Sequence, residues 1–175
     1  MNIFNKKAQT WKMEFIFGFF IFIIVIAMFF TTINDLTRDD KTLEHIYIEG
    51  QTISEVLISE GAPTDWDEDN VIRPGILKEG RKIDPEKTGL LYSISETNHS
   101  LLRNAFGVNS YFAVYIIDNE GEIIEFDNKK GAASPTVSIE EDGINFNMET
   151  DHIAKVKRIV LYEGNPVRMV VFTWL

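Results

Sequence analysis

Residues 15–30 read FIFGFFIFIIVIAMFF, sixteen positions without a charge or a strongly polar side chain. No other feature constrains the fold of this chain so tightly. A helix that is apolar on every side has no face to offer water, so it sits in a core or in lipid. With Thr31, Thr32 and Ile33 the run reaches nineteen residues. At 1.5 Å per residue that is about 28 Å of helix, close to the ~30 Å hydrocarbon core of a bilayer. Seven of the thirteen Phe fall in this run, more than a core helix needs. A secretory signal has a shorter apolar core, about 7–15 residues, and a small-residue cleavage site. Here the run gives way to Thr-Thr-Ile-Asn-Asp-Leu-Thr-Arg instead. The expectation is a retained transmembrane helix over residues 15–33 that leaves one ordinary domain, 34–175.

Charge is divided across this helix. Residues 1–14 carry Lys6, Lys7 and Lys12 against Glu14, a net +2, while the chain after the helix carries 14 basic and 26 acidic residues, a net −12. Basic flanks stay on the cytoplasmic side, so the sequence predicts an inner N-terminus and an acidic outer domain. An acidic domain repels phosphate backbones, and no basic stripe with interleaved aromatics appears. Nucleic acid is therefore not an expected partner, whereas membrane lipid is. The chain has no cysteine, which excludes disulfides, thiolate metal sites and cysteine nucleophiles and leaves the domain to be held by packing.

The junction before the helix reads KKAQTWKMEF over residues 6–15. A carboxylate at the lip of an apolar helix is costly in hydrocarbon unless it meets a partner or stays at interface depth. A basic pair, a small residue, Gln and an isolated Glu in this order resemble the class III signal of archaeal type IV pilin-like surface proteins. By that resemblance Lys6, Lys7 and Ala8 end a leader cleaved on the cytoplasmic side, Gln9 begins the mature chain, and the helix is kept for assembly. Glu14 would be the assembly glutamate that pairs with a neighbour's terminal amine. In the pilin pattern that glutamate is fifth in the mature chain. Here it is sixth counted from Gln9 and fifth if cleavage follows Gln9, and Lys12 departs from the pattern. Residues 61–77 (GAPTDWDEDNVIRPGIL), Asp84-Pro-Glu-Lys87 and a paired-strand segment ending in Trp174 are similar to archaeal membrane-tethered proteins of this size.

Beyond the membrane segment Leu36, Leu43, Ile46, Gly50, Ile53 and Leu57 recur at helical spacing. Gly61 supplies a left-handed stop and Pro63 blocks continuation. Two readings stand: one helix from about residue 10 to residue 60, the pilin arrangement, or two helices with a break near Asn34–Asp40. Residues 61–84 read as loop. Asp84 and Pro85 start a helix to about Ser95, and Leu101, Leu102, Ala105 and Phe106 suggest a second, stopped by Gly107. Strands are expected at Tyr111–Asp118 and Glu122–Phe126 as a hairpin, at Thr136–Ile139 and Ile144–Phe146, and at Ala154–Tyr162 and Val167–Trp174 as a last hairpin, with a polar turn over Lys129–Pro135. The fold class is α+β: a long N-terminal transmembrane helix continuing into a helix packed on an antiparallel sheet of four to six strands.

Candidate sites are few. Asp65, Asp67 and Asp69 alternate as in the opening of a calcium loop, but Asn70 stands where that loop needs Gly and Ile76 where it needs Glu. A solvated acidic loop with Trp66 packed on the domain is the favoured reading, and calcium is the alternative. His45, His99 and His152 lack ligand spacing and are expected at the surface. No nucleophile elbow, phosphate loop or dinucleotide fingerprint is present, so no catalytic residue, enzyme activity or cofactor is expected. Asn98-His99-Ser100 is the single glycosylation sequon. The function these features imply is a pilin-like structural subunit of a surface filament, partnered by its own kind through the N-terminal helix. The alternative is a non-polymerising anchored module that binds or assists assembly.

Overall fold

The computed structural model describes the backbone of residues 4–140, 143–146, 150 and 152–175, and their side chains apart from those of 4–13 and 34–40. Helix α1 spans Phe4–Leu57. The backbone over residues 34–40 is helical, so of the two readings the unbroken helix is the one found. The chain forms two compact units, Met1–Lys41 and Thr42–Leu175.

In the first unit one stretch, Glu14–Ile33, is long and apolar enough to cross a membrane, and none of it is buried. Phe15, Phe17, Phe19, Phe20 and Phe22 are all more than half exposed. The two polar side chains near its end are satisfied within the helix, since the Thr31 and Thr32 hydroxyls both donate to the Met28 carbonyl. Such internal pairing is what a helix needs where no water is at hand.

The second unit is an α+β domain. After α1 come β1 (Leu77–Lys78), β2 (Lys82–Ile83), α2 (Pro85–Phe106), β3 (Tyr111–Ile117), β4 (Ala132–Ala133), β5 (Val137–Glu140), β6 (Gly143–Phe146), β7 (Ile153–Tyr162) and β8 (Asn165–Trp174). Six strands make one sheet in the order β1-β2-β7-β8-β3-β4, and β5 and β6 pair separately. The sheet is mixed rather than antiparallel, because β2 runs parallel to β7 through Lys82↔Leu161. The β7–β8 hairpin closes on Glu163-Gly164, both at positive φ, the conformation that matches strand twist.

Side chains alternate across the sheet as a pleat requires. On β3, Phe112, Val114 and Ile116 join the large core with Ile53 and Leu57 of α1, Leu91 and Leu102 of α2, and Met169 and Val171 of β8. Ala113 faces the other way, into a small cluster with Val137 and Trp174 that Ile144 and Phe146 of β6 cover. The Thr42–Leu57 part of α1 and α2 thus lie on one face of the sheet, and the short β5–β6 hairpin shields part of the other.

Parts of the sheet differ from the sequence reading, among them β1 and β2, which lie in the stretch read as loop. Glu122–Phe126 is not a strand and makes only the isolated bridges Ile117↔Ile123 and Phe126↔Lys129 among the described residues, because Asp118 turns the chain by accepting from the backbone N–H groups of Glu120, Gly121 and Glu122. Besides β8, β3 pairs instead with β4, in the stretch expected to be a polar turn. The two helices expected after Asp84 are found as the two halves of α2, which meet at a kink at Asn98, whose φ of −148° and ψ of 66° are non-helical.

Candidate functional site

Lys6, Lys7, Ala8 and Gln9, where processing is expected, lie in the helical backbone of α1, and their side chains fall outside the described set. Glu14 is described and exposed at the start of the apolar stretch.

Asp65, Asp67 and Asp69 are exposed, while Trp66 between them is buried. Trp66 Nε1 donates to the Gly75 carbonyl over 2.8 Å. Its ring lies so close to Gly61 that a Cβ there would approach it to 2.5 Å. The acidic loop is therefore a flap held down by the Trp66 ring and closed at its base by backbone bonds between Ala62 and Arg73. Asp67 Oδ1 accepts from the backbone N–H groups of Asp69 and Asn70, and Asn70 Oδ1 accepts from that of Asp67. These bonds turn one of the three carboxylates onto its own backbone. Among the described residues no group of three or more His, Cys, Asp or Glu could hold a metal ion.

The joint between α1 and the start of β3 escaped the sequence reading. Glu49 is buried on α1, and its carboxylate accepts from the backbone N–H groups of Asn109 and Ser110 over 2.9 and 2.8 Å. Burial opposes its charge, but the Ser110 hydroxyl, these two N–H groups and His45 outweigh burial and hold the carboxyl below its ordinary value. Next to it on the helix, Gly50 lets α1 approach the sheet: a Cβ there would stand 2.9 Å from Thr173 Oγ1. Thr173 in turn donates to the Ile46 carbonyl over 2.9 Å.

His99 is buried, against the expectation of a surface residue. Its ring stacks on Phe112 with centroids 4.4 Å apart, and neither ring nitrogen has a hydrogen-bond partner. Burial, with Arg103 nearby, lowers its pKa to about 4. The kink at Asn98 explains the placement, because a regular helix through Asn98 would set a different face toward β3. Arg103 itself donates to the Asn109 carbonyl and lies over the Tyr111 ring. Asn98 and Ser100, on either side of His99, are exposed.

An open cavity of about 490 Å³ lies between α2 and the β4–β5 segment. Lys129 on its wall is 2.7 Å from Glu96 and donates to Ser93 Oγ, so its charge is matched by the protein itself. Tested against protein-family models, curated proteins and solved structures, the chain matches none.

Proposed function

We propose that this chain is a pilin-like surface subunit, held in the membrane by the first part of α1 with its acidic domain on the outer side. The observation that carries this reading is the Glu14–Ile33 stretch, uncovered by the protein on every side and headed by a carboxylate. Lipid or neighbouring helices are the surroundings that such a surface tolerates. The charge asymmetry supports the orientation, and the KKAQ junction supports cleavage before or after Gln9 and a pairing role for Glu14. In this reading the partners are copies of the chain or other pilin-like subunits, the domain needs no cofactor, and no enzymatic step is invoked.

Native protein whose N-terminus is Gln9 or Thr10 is the expected product; retained Met1 would argue for a plain anchor. Glu14→Ala is expected to abolish filaments sheared from cells while leaving membrane insertion unchanged. Filaments that persist in that variant would sink the assembly role. The second reading, an anchored module that does not polymerise, is favoured by one feature of the apolar stretch: Gly18 and Ala27 are the only small residues between Phe15 and Phe30, whereas helices that pack tightly in lipid usually meet through several. Recovery of the protein in the membrane pellet and never in sheared filaments is the outcome that reading expects.

A further inference from the structure

The geometry points to Asn98 as an N-glycosylation site whose first sugars rest in an adjoining groove. A sequon in a regular helix is a poor acceptor, because the helix holds the carboxamide and the hydroxyl two positions on in fixed, diverging directions. Here the helix is interrupted at the sequon itself, with φ −148° and ψ 66° at Asn98. The Asn98 Oδ1 atom accepts from the Leu101 backbone N–H over 3.1 Å. With one end of the planar carboxamide held to the backbone, Nδ2 is directed away from it. The middle residue of the sequon, His99, is the one that is buried and stacked on Phe112. It pins the tripeptide to the core while Asn98 and Ser100 stay exposed.

Beside Asn98 lies a shallow groove of about 560 Å³ between the acidic flap and the second half of α2. Val71, Ile72, Leu101 and Ala105 give it apolar walls, and Ser100 and Asn104 give it polar ones. Ile72 is 68% exposed, an unusual place for an isoleucine. Apolar ground edged by amide and hydroxyl groups suits a pyranose, whose C–H face seeks apolar cover while its hydroxyls seek hydrogen bonds. The donor is a lipid-linked oligosaccharide. The bond from sugar C1 to the lipid phosphate oxygen breaks, a bond from C1 to Asn98 Nδ2 forms, Nδ2 loses one proton, and the lipid phosphate leaves with the electron pair.

The inference rests on the outward placement proposed above, and one experiment separates the two. Full-length protein is followed in its native cells by protease treatment of intact cells and by mass spectrometry of the tryptic peptide Thr88–Arg103. The expected result is a domain cleaved from outside and a peptide heavier by a sum of sugar residues, an increment lost in Asn98→Gln and Ser100→Ala and kept in Ser100→Thr. A domain that is cleaved from outside but yields the unmodified peptide overturns the glycan and leaves the placement standing. A domain protected in intact cells overturns the placement, and the glycan with it. For the groove, Ile72→Ala is expected to lower the thermal midpoint by about 2–4 °C more in the glycosylated protein than in the Ser100→Ala background, which retains the Asn98 cap. Equal shifts in the two backgrounds would overturn the groove as the resting place of the sugars.

Discussion

His99 shows how one residue can carry a pH dependence for the whole domain. Unfolded, its imidazole takes a proton near 6.5; folded, it resists until about 4, because burial and Arg103 disfavour the charge. Between those values the unfolded chain binds more protons, so stability is full above 6.5 and falls as the pH drops toward 4. A shift of that size corresponds to about 3 kcal/mol at most. His99→Phe keeps a ring against Phe112 and removes both unpartnered nitrogens. Urea unfolding across pH 4–7 is expected to show a flatter stability profile for the variant than for the parent. Parallel profiles would mean that His99 is not the titrating group. Glu49 acts in the same sense at lower pH: its depressed pKa lends stability above the ordinary carboxylate range, which is lost as the pH falls through the folded value. The sequence put His99 at the surface and did not mark Glu49, because each owes its character to groups far along the chain, Phe112 for one and Asn109 and Ser110 for the other.

At the scale of elements, the contact of α1 with the sheet depends on a missing side chain. Gly50 lies where a Cβ would come within 2.9 Å of Thr173 Oγ1 and 3.3 Å of Val156 Cγ2. Any side chain there improves helix propensity by up to about 1 kcal/mol, but it must displace a hydroxyl that donates to the Ile46 carbonyl. Overpacking of this kind costs about 1–3 kcal/mol. Gly50→Val is therefore expected to lose stability by about 1–3 kcal/mol in urea unfolding, and a variant as stable as the parent would show that α1 can move off the sheet freely. The helical stripe of Ile46, Gly50, Ile53 and Leu57 was legible in the sequence, and all four are buried. Leu43, read as part of the same stripe, is 40% exposed. Spacing identifies a face, whereas the edge of the sheet decides how far along the helix that face is covered.

At the scale of the whole molecule, the chain divides by the polarity of its surface as well as by fold. Among the described residues, the Thr42–Leu175 unit contains the buried residues of α1, both core clusters and every strand. A fragment of residues 42–175 is expected to be soluble and to unfold cooperatively. A fragment of residues 59–175, which lacks Ile53, Val56, Leu57 and Glu49, is expected to show no cooperative transition in circular dichroism. Cooperative unfolding of the shorter fragment would show that α1 is an addition to the fold rather than part of it.

Some features follow from local chemistry alone. A continuous apolar run, a Pro after an Asp, a Gly at a helix end and an Asn or Glu-Gly turn each act through their nearest neighbours. The apolar helix, the start and stop of α2 and the β7–β8 hairpin were therefore readable from the sequence. Other features required the fold. The pairing of β4 with β3, the parallel contact of β2 with β7, the burial of His99 and the close approach at Gly50 join residues far apart in the chain. Their energies arise only once the sheet has formed, because a strand two residues long, or a histidine between two exposed neighbours, has no preference strong enough to place itself.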